Sequence, residues 1–305
     1  MGKGEDNGKN NADLARIAFI FSMGVFGTIG LFRRLIPLPS GAIAFFRGLI
    51  GTLALLLIVF ISRKKLDLTA IKKHLLLLCI SGALIGFNWI LLFEAYNYTS
   101  VATATLCYYT APIIVLIAAP FLFKERFGLK QGLCAACALV GMIFVSGVLK
   151  GGDIALKGII FGLLAALLYA SVILINRRLT ALSAYDKTIF QLGAATVVIL
   201  PYTLIAEDIS LSVFNLKTVI LLLVVGIIHT GVSYALYFNS IGSLPTQTVA
   251  ICSYIDPVVA IILSALVLKE PMGIWEIIGA VLILGAAAAC ELPFERLKKG
   301  KLDTK

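Results

Sequence analysis

The chain has 305 residues, of which 60% are hydrophobic and 14% are charged, and its mean hydropathy is +1.01. A soluble domain is about 45–50% apolar and about 25% charged, so this composition excludes an ordinary soluble fold. It indicates an integral membrane protein instead.

Ten apolar windows follow one another along the chain, and each is close to the length of about 20 residues that a membrane-spanning helix needs. The windows are 14–32, 41–61, 75–97, 101–123, 128–148, 158–176, 187–206, 218–240, 246–268 and 273–291. The first window is not expected to be a cleaved signal peptide, because it is long and nine similar windows follow it. The pattern predicts an all-α integral membrane protein with ten transmembrane helices.

The net charge of +10 is explained by the positions of the basic residues. If both chain ends are cytoplasmic, nineteen of the 26 Lys and Arg residues lie on the cytoplasmic side, six lie outside and Arg47 lies within a span. This distribution follows the positive-inside rule. We therefore expect a multi-pass protein of the cell membrane with cytoplasmic termini, and no nucleic-acid partner.

The chain repeats itself after 145 residues. Residues 86–128 align with 231–273 without a gap and with eleven identities, which include Tyr109 with Tyr254, Pro112 with Pro257, and Lys124-Glu125 with Lys269-Glu270. Upstream the offset is 144 residues, which places Arg33-Arg34 on Arg177-Arg178 and Arg47 on Gln191. The chain is thus predicted to be a tandem repeat.

Five spans in each repeat is an odd number, so the second repeat begins on the opposite side of the membrane from the first. Inverted repeats of this kind are typical of secondary transporters that work by alternating access. The predicted organisation is a cytoplasmic tail, a first five-helix repeat, an external linker, a second five-helix repeat and a basic cytoplasmic tail. Their bounds are 1–13, 14–148, 149–157, 158–291 and 292–305.

The stretches "LLFEAYNYTSVATATLCYYTAPI" (91–113) and "FRGLIGTLALLL" (46–57) resemble segments of the drug/metabolite transporter superfamily, and in particular of its EamA-type members. The likeness covers about residues 14–291. It departs from the family at "VFGTIG", where Phe26-Gly27 stands in place of a frequent Trp-Gly. The resemblance implies a secondary transporter of a bacterial-type cytoplasmic membrane, often an exporter of amino acids or other small metabolites. It also implies a central cavity formed by spans 1–4 and 6–9.

Ionisable residues inside a membrane are costly and usually face a cavity or a partner. Asp256 is the strongest functional candidate among them. It lies near the middle of span 9, directly before Pro257, and shares a helix face with Ser253. A carboxylate beside a helix break suits a cation, an amine or a proton. The alternative is a protonated Asp256 that bonds to a neighbouring helix.

Arg47 and Glu94 lie at compatible depths in spans 2 and 3, so the sequence predicts that they pair. The pair could be structural, or it could act in coupling or gating, with Arg47 binding a carboxylate and Glu94 an amine or proton. Gly51 and Ala54 share the helix face of Arg47, which indicates close helix packing beside it.

His229 lies near the middle of span 8, with Ser233, Tyr237 and Ser240 following at helical spacing. Histidine titrates near neutral pH, which makes His229 a candidate proton relay. A histidine that only bonds to a neighbouring helix fits the pattern equally well.

Tyrosines accompany both mid-span prolines, which are expected to kink their helices. Tyr108 and Tyr109 share a face with Pro112, and Ser253 and Tyr254 repeat the pattern at Pro257; these side chains are predicted to line the substrate cavity. Asn88 and Trp89 lie near mid-depth in span 3 and are predicted to bind substrate. Asn88 is about 120° from Glu94 around the helix axis, so one of these two is expected to face the cavity and the other a neighbouring span.

Enzymatic classes find no support in the sequence. The chain has no Walker-type loop and no H-E-x-x-H motif, and Cys134-x-x-Cys137 lacks a second ligand pair, so no catalytic residue, metal or cofactor is predicted. A channel would need a selectivity-filter sequence or a ring of charged residues, and the sequence shows neither.

The favoured partners are a small-molecule substrate, the lipid bilayer and protons. An amino acid or related zwitterion is the first choice of substrate, and an organic cation, quaternary ammonium compound or drug is the second. The small residues "GAAAA" (285–289) allow close helix contact within a monomer or across a homodimer.

Overall fold

The computed structural model describes residues 2–123, 128–145, 155–241, 244 and 246–291. Within these ranges every regular element is a helix and no strand occurs, which confirms the all-α prediction. In chain order the helices are α1 Gly2–Gly27, α2 Ile29–Leu35, α3 Ser40–Ile61, α4 Leu68–Lys73, α5 Leu75–Tyr98, α6 Val101–Tyr108, α7 Ala111–Phe123, α8 Leu129–Val145, α9 Leu156–Asn176, α10 Ala184–Ala206, α11 Leu216–Leu223, a π-helical segment Val224–Val232, α12 Ser233–Ile241, α13 Thr246–Ser253, α14 Ile255–Leu266 and α15 Ile274–Glu291.

Among the residues that the structure describes, seven stretches of helix are long and apolar enough to cross a membrane. They are Asp13–Leu35, Ser40–Ile61, Leu75–Tyr98, Val101–Ala119, Leu156–Asn176, Ala184–Ala206 and Leu216–Ser240, and shorter apolar helices cover Gly132–Val145, Ile255–Leu266 and Ile274–Ala289. Their outer faces carry large apolar side chains such as Phe121 and Ile205, which are 84% and 86% exposed. Such a surface is suited to lipid, and the protein is a multi-pass membrane protein.

Two of the helices are interrupted at equivalent positions of the repeat. The regular helix is interrupted by a turn at Tyr109 and Thr110 between α6 and α7, and at Tyr254 between α13 and α14. A proline follows three residues after each tyrosine, and proline removes the backbone donor that the carbonyl four residues earlier would use. Both interruptions therefore leave backbone polar groups to be satisfied by their surroundings.

The π-helical segment packs against α3 through small residues. A Cβ added to Gly226 would lie 2.4 Å from Ile50, and one added to Gly51 would lie 2.4 Å from Thr230. Gly231 faces Ala54 in the same way. The close packing expected around Gly51 and Ala54 is thus present.

The loop after α10 fastens the start of α3. Both carboxylate oxygens of Glu207 accept backbone hydrogen bonds, from Gly41 N at 2.6 Å and from Ala42 N at 2.8 Å. Burial raises the pKa of the Glu207 carboxyl, and the two N–H donors oppose that rise. Glu207 therefore caps a helix of the first half from the second half, where the partial positive charge of a helix N-terminus favours a carboxylate.

Helices α8 and α15 pack along a seam of small residues. Gly141 and Gly279 face each other, and Ala286 and Ala287 are buried in one cluster with residues of α8. The "GAAAA" stretch therefore makes its close contact within the chain, where small side chains let helix backbones approach.

Gly279→Ala is expected to destabilise the protein, because the added Cβ would lie 2.5 Å from Val145 Cγ2 and 2.7 Å from the backbone oxygen of Gly141. Overpacking of this kind typically costs about 1–3 kcal/mol. Gly285→Ala is the matched control on the same helix, because nothing lies within 4 Å of its added Cβ. Thermal unfolding in detergent should show a lower melting temperature for Gly279→Ala only; equal values would refute the tight seam.

Candidate functional site: a polar cavity between the broken helices

A cavity of about 670 Å³ lies among the helices, which is within the usual range for small-molecule sites. Its lining residues come from α1 to α3, α5 to α7, α9, α10, α12 to α14 and the π-helical segment, and in the described part of the chain α8 and α15 contribute none. All seven residues predicted to bind substrate border it: Asn88, Trp89, Tyr108, Tyr109, Ser253, Tyr254 and Asp256. Arg47, His229 and Pro112 border it as well.

Asp256 and Tyr109 join the two interrupted helices across the cavity. The Tyr109 hydroxyl donates a hydrogen bond of 2.6 Å to Asp256 Oδ2. Tyr109 stands in the break between α6 and α7, and Asp256 stands in the first turn of α14 just after the other break. The bond therefore connects the breaks of the two halves.

Gly27 brings α1 against the backbone of Asp256. A Cβ at Gly27 would lie 2.4 Å from the Asp256 carbonyl oxygen and 2.8 Å from Val259. Only glycine permits this approach, which gives the Phe26-Gly27 pair a physical role that the sequence did not reveal.

Arg47 is almost fully enclosed, with 7% of its surface exposed. Its Nε donates to Thr230 Oγ1 at 3.1 Å, and its guanidinium carbon lies 4.3 Å from the centre of the Trp89 ring. Within the described ranges, no Asp or Glu oxygen lies within 4.0 Å of its guanidinium nitrogens. A buried cation held by a hydroxyl and an aromatic face retains unused capacity to bind an anion.

The predicted pairing of Arg47 with Glu94 is wrong. Glu94 accepts a long hydrogen bond of 3.4 Å from Asn97 and does not line the cavity. Trp89, which does contact Arg47, precedes Glu94 by five residues, and five residues of α-helix turn a side chain by about 140°. Glu94 therefore points to a different side of α5.

Asn88 and Trp89 both border the cavity and Glu94 does not, so of Asn88 and Glu94 it is Asn88 that faces the cavity. The Asn88 Nδ2 also donates a 2.6 Å hydrogen bond to Ala165 O on α9. This bond fixes α5 to α9 in the cavity wall.

The walls are unusually rich in aromatic side chains, and seven of the chain's ten tyrosines line them. The lining tyrosines are Tyr96, Tyr108, Tyr109, Tyr169, Tyr234, Tyr237 and Tyr254. Tyr108 stacks on Tyr169 with ring centres 5.3 Å apart. Sequence reasoning missed Tyr96, Tyr169 and Tyr234 because nothing in their own helices marks the face that turns inward.

His229 is buried and bonded to α1. Its Nε2 lies 2.7 Å from Thr28 Oγ1, and the Thr28 hydroxyl is itself 2.8 Å from Val25 O. His229 Nδ1 lies 3.4 Å from Val224 O, so both ring nitrogens have a hydrogen-bonding neighbour. Of the three polar residues that follow His229 at helical spacing, Tyr237 borders the cavity. Ser233 and Ser240 instead donate hydrogen bonds to the backbone oxygens of Ile228 and Leu236.

One end of the cavity is basic and polar. Arg177, Lys187 and Gln191 border it there, and Gln191 Nε2 donates at 2.7 Å to both Ser81 Oγ and Asn176 Oδ1. At the opposite end of the bundle Glu270 takes part in contacts between helices and does not line the cavity. Lys124-Glu125, the repeat equivalent of Lys269-Glu270, lies outside the described residues.

A helical bundle with a central polar cavity between interrupted helices is typical of membrane transporters. The model of the EamA-like transporter family matches residues 13–147 and again residues 156–290. The chain therefore belongs to the EamA-like transporter family, which confirms the resemblance to the drug/metabolite transporter superfamily.

Individual relatives agree with this assignment. The transporter YxxF of Bacillus subtilis (strain 168) is 31% identical over 90% of this chain and 88% of its own length. A probable amino-acid metabolite efflux pump of Salmonella typhimurium is 28% identical over 74% of this chain and 78% of its own length. A crystal structure with 18% identity shares the fold at a TM-score of 0.63 and covers 95% of this chain and 99% of its own.

Tyr109→Phe is expected to lower the melting temperature in detergent, because it leaves the Asp256 carboxyl without its tyrosine donor. A buried acceptor that loses its partner costs about 1–3 kcal/mol. Tyr98→Phe is the control, since Tyr98 is 43% exposed and lies outside the cavity. Equal melting temperatures for the two variants would show that the bond to Asp256 does not hold the breaks together.

Proposed function

We propose that this protein is a secondary transporter that moves an amino acid or a related zwitterion across the cell membrane by alternating access. The observation that carries the proposal is a single cavity that contains both Arg47, with no carboxylate beside it, and Asp256, among tyrosines. The function is transport and not catalysis.

Arg47 would bind the carboxylate of the substrate. A buried charge is costly unless it is paired and hydrogen-bonded, and Thr230 and Trp89 supply only a hydroxyl and a ring. A carboxylate can take two parallel N–H bonds from a guanidinium, which is among the strongest pairings in proteins. The free capacity of Arg47 therefore suits a substrate with an anionic group.

Asp256 would bind the amino group. Its carboxylate meets the substrate beside Tyr109 and Tyr254, and tyrosine faces attract cations. An organic cation or quaternary ammonium compound would use the same carboxylate and rings but would leave Arg47 unmatched. That mismatch makes the cationic substrate the second candidate.

Ten spans in two inverted halves, 14–148 and 158–291, remain our proposal for the topology. Its support is that α6–α7 and α13–α14 are interrupted at the repeat-equivalent residues Tyr109 and Tyr254, and that the family model matches two successive segments. The positive-inside rule places both termini in the cytoplasm. The cavity end that carries Arg177 and Lys187 is then cytoplasmic, and the end that carries Glu270 is external.

Export and proton coupling are the finer parts of the proposal. The relative from Salmonella typhimurium is named as a probable amino-acid metabolite efflux pump, which favours an outward direction of flux. Asp256 and His229 are the ionisable candidates for proton coupling that border the cavity beside Arg47. Glu94 is not among these candidates, because it does not border the cavity.

Trp89 borders the cavity, so its fluorescence can report ligand binding. The chain's other tryptophan, Trp275, stacks on Phe144 outside the cavity and can be replaced. In a Trp275→Phe background we expect amino acids to change the Trp89 emission and to raise the melting temperature, as a ligand of the folded state must. Arg47→Gln and Asp256→Asn should each lose this response. Binding of quaternary ammonium compounds that Asp256→Asn loses and Arg47→Gln retains would overturn the zwitterion in favour of the cation.

Asp256→Asn is further expected to abolish transport of the identified ligand in proteoliposomes while the protein still inserts and purifies normally. The neutral amide keeps the size of the side chain but cannot balance an ammonium group or release a proton. Asp208→Asn is the control, since Asp208 is exposed and lies outside the cavity. Transport by Asp256→Asn at the parent rate would remove Asp256 from the mechanism.

A further inference from the structure

An ion pair closes the end of the bundle that is opposite to Arg177 and Lys187. Arg34 Nη2 lies 2.8 Å from Glu270 Oε1 and 2.9 Å from Thr99 O. Arg34 and Glu270 are 236 residues apart and belong to different halves of the chain. The contact therefore holds the first half against the second.

The other oxygen of Glu270 is bonded as well. Glu270 Oε2 accepts from the backbone N–H of Val101, the first residue of α6, at 2.8 Å, and it also accepts from the Ser264 hydroxyl. Ser264 Oγ in turn accepts from Ala102 N at 3.3 Å. The carboxylate thus sits at the N-terminus of α6, where the helix dipole favours a negative charge.

The backbone before Glu270 is shaped for this position. Lys269 has a φ of 54°, which is uncommon for a residue other than glycine, and Glu270 N bonds to Ser264 O at 3.0 Å. The chain therefore turns back after α14 and presents the Glu270 carboxylate to α2 and α6.

Tight contacts fill the space between this ion pair and the cavity. A Cβ at Gly30 would lie 2.4 Å from Val101, and the contact of Gly27 with the Asp256 carbonyl lies three residues deeper on α1. Neither Gly30 nor Val101 borders the cavity, and Arg34 and Glu270 do not border it either. The cavity lining therefore ends before it reaches the ion pair.

We propose that Arg34 and Glu270 form the external gate of the transporter, an inference that rests on the alternating access proposed above. Every bond that Glu270 makes to Arg34 and Val101, and the bond of Ser264 to Ala102, crosses between the halves, so all of them must break when this end opens. The pair is suited to a reversible contact, because the side chains are 34% and 15% exposed and partly exposed ion pairs contribute little net stability.

The test measures access to the cavity and needs no substrate. All six cysteines are replaced, and Ala260→Cys is added as a reporter, because Ala260 lines the cavity one helical turn from both Asp256 and Ser264. A charged, membrane-impermeant thiol reagent is applied to intact cells and, separately, to inverted membrane vesicles. The parent should react slowly from outside and faster from the cytoplasmic side.

Glu270→Gln should raise the labelling rate from outside by about five- to thirtyfold. The variant loses contacts that only the closed state makes, so the equilibrium between closed and open states shifts towards open. Arg34→Gln should give a similar increase, and the double variant should add little to either, as expected for partners in one contact. Arg34→Lys should restore slow labelling in part, and Asp208→Asn should label like the parent.

Unchanged labelling in Glu270→Gln would overturn the gate, as would equal acceleration by Asp208→Asn or full additivity in the double variant. Each variant is checked for a single size-exclusion peak, so misfolding is recognised separately. A protein that shows the labelling pattern but binds no amino acid would refute the proposed substrate and leave the gate standing.

Discussion

In lipid, a helix can be interrupted only where its freed backbone groups meet protein or water. This constraint explains why the breaks at Tyr109-Thr110 and at Tyr254 border the central cavity and not the lipid. Each break places a tyrosine in the cavity wall, and the second places Asp256 in the first turn of the following helix. The positions that backbone chemistry forces inward are thus the positions that carry the polar side chains of the site.

Close helix contacts through glycine determine how the site is assembled. Gly27 lets α1 touch the Asp256 carbonyl, and Gly51 and Gly226 let α3 and the π-helical segment interlock beside Arg47. Without these contacts, Arg47 could not lie both on the ring of Trp89 and on the hydroxyl of Thr230, which belong to different helices. The electrostatics of the cavity therefore depend on positions where glycine lets a neighbouring helix approach closely.

The helices were predictable from the sequence because apolar windows of about 20 residues have few alternatives in lipid. The cavity residues near the prolines were also predictable, since Asp256, Tyr109 and Tyr254 stand at marked positions. The pairing of Arg47 with Glu94 failed because depth in the membrane was taken into account and rotation about the helix axis was not. Tyr96, Tyr169 and Tyr234 were missed for a related reason: only the packing of α5, α9 and α12 against other helices decides which face turns inward.

The π-helical segment bears on how the two halves came to differ. Between Gln191 and Gly231 the offset of the repeat changes from 144 to 145 residues, and the π-helical segment begins within that interval, at Val224. A π turn can hold one extra residue without breaking a helix, so this segment can accommodate the change in offset. At the offset of 145, Tyr234 and Tyr237 align with Trp89 and Leu92, which border the cavity as well. A substrate would therefore meet different side chains at matching sequence positions on its two sides.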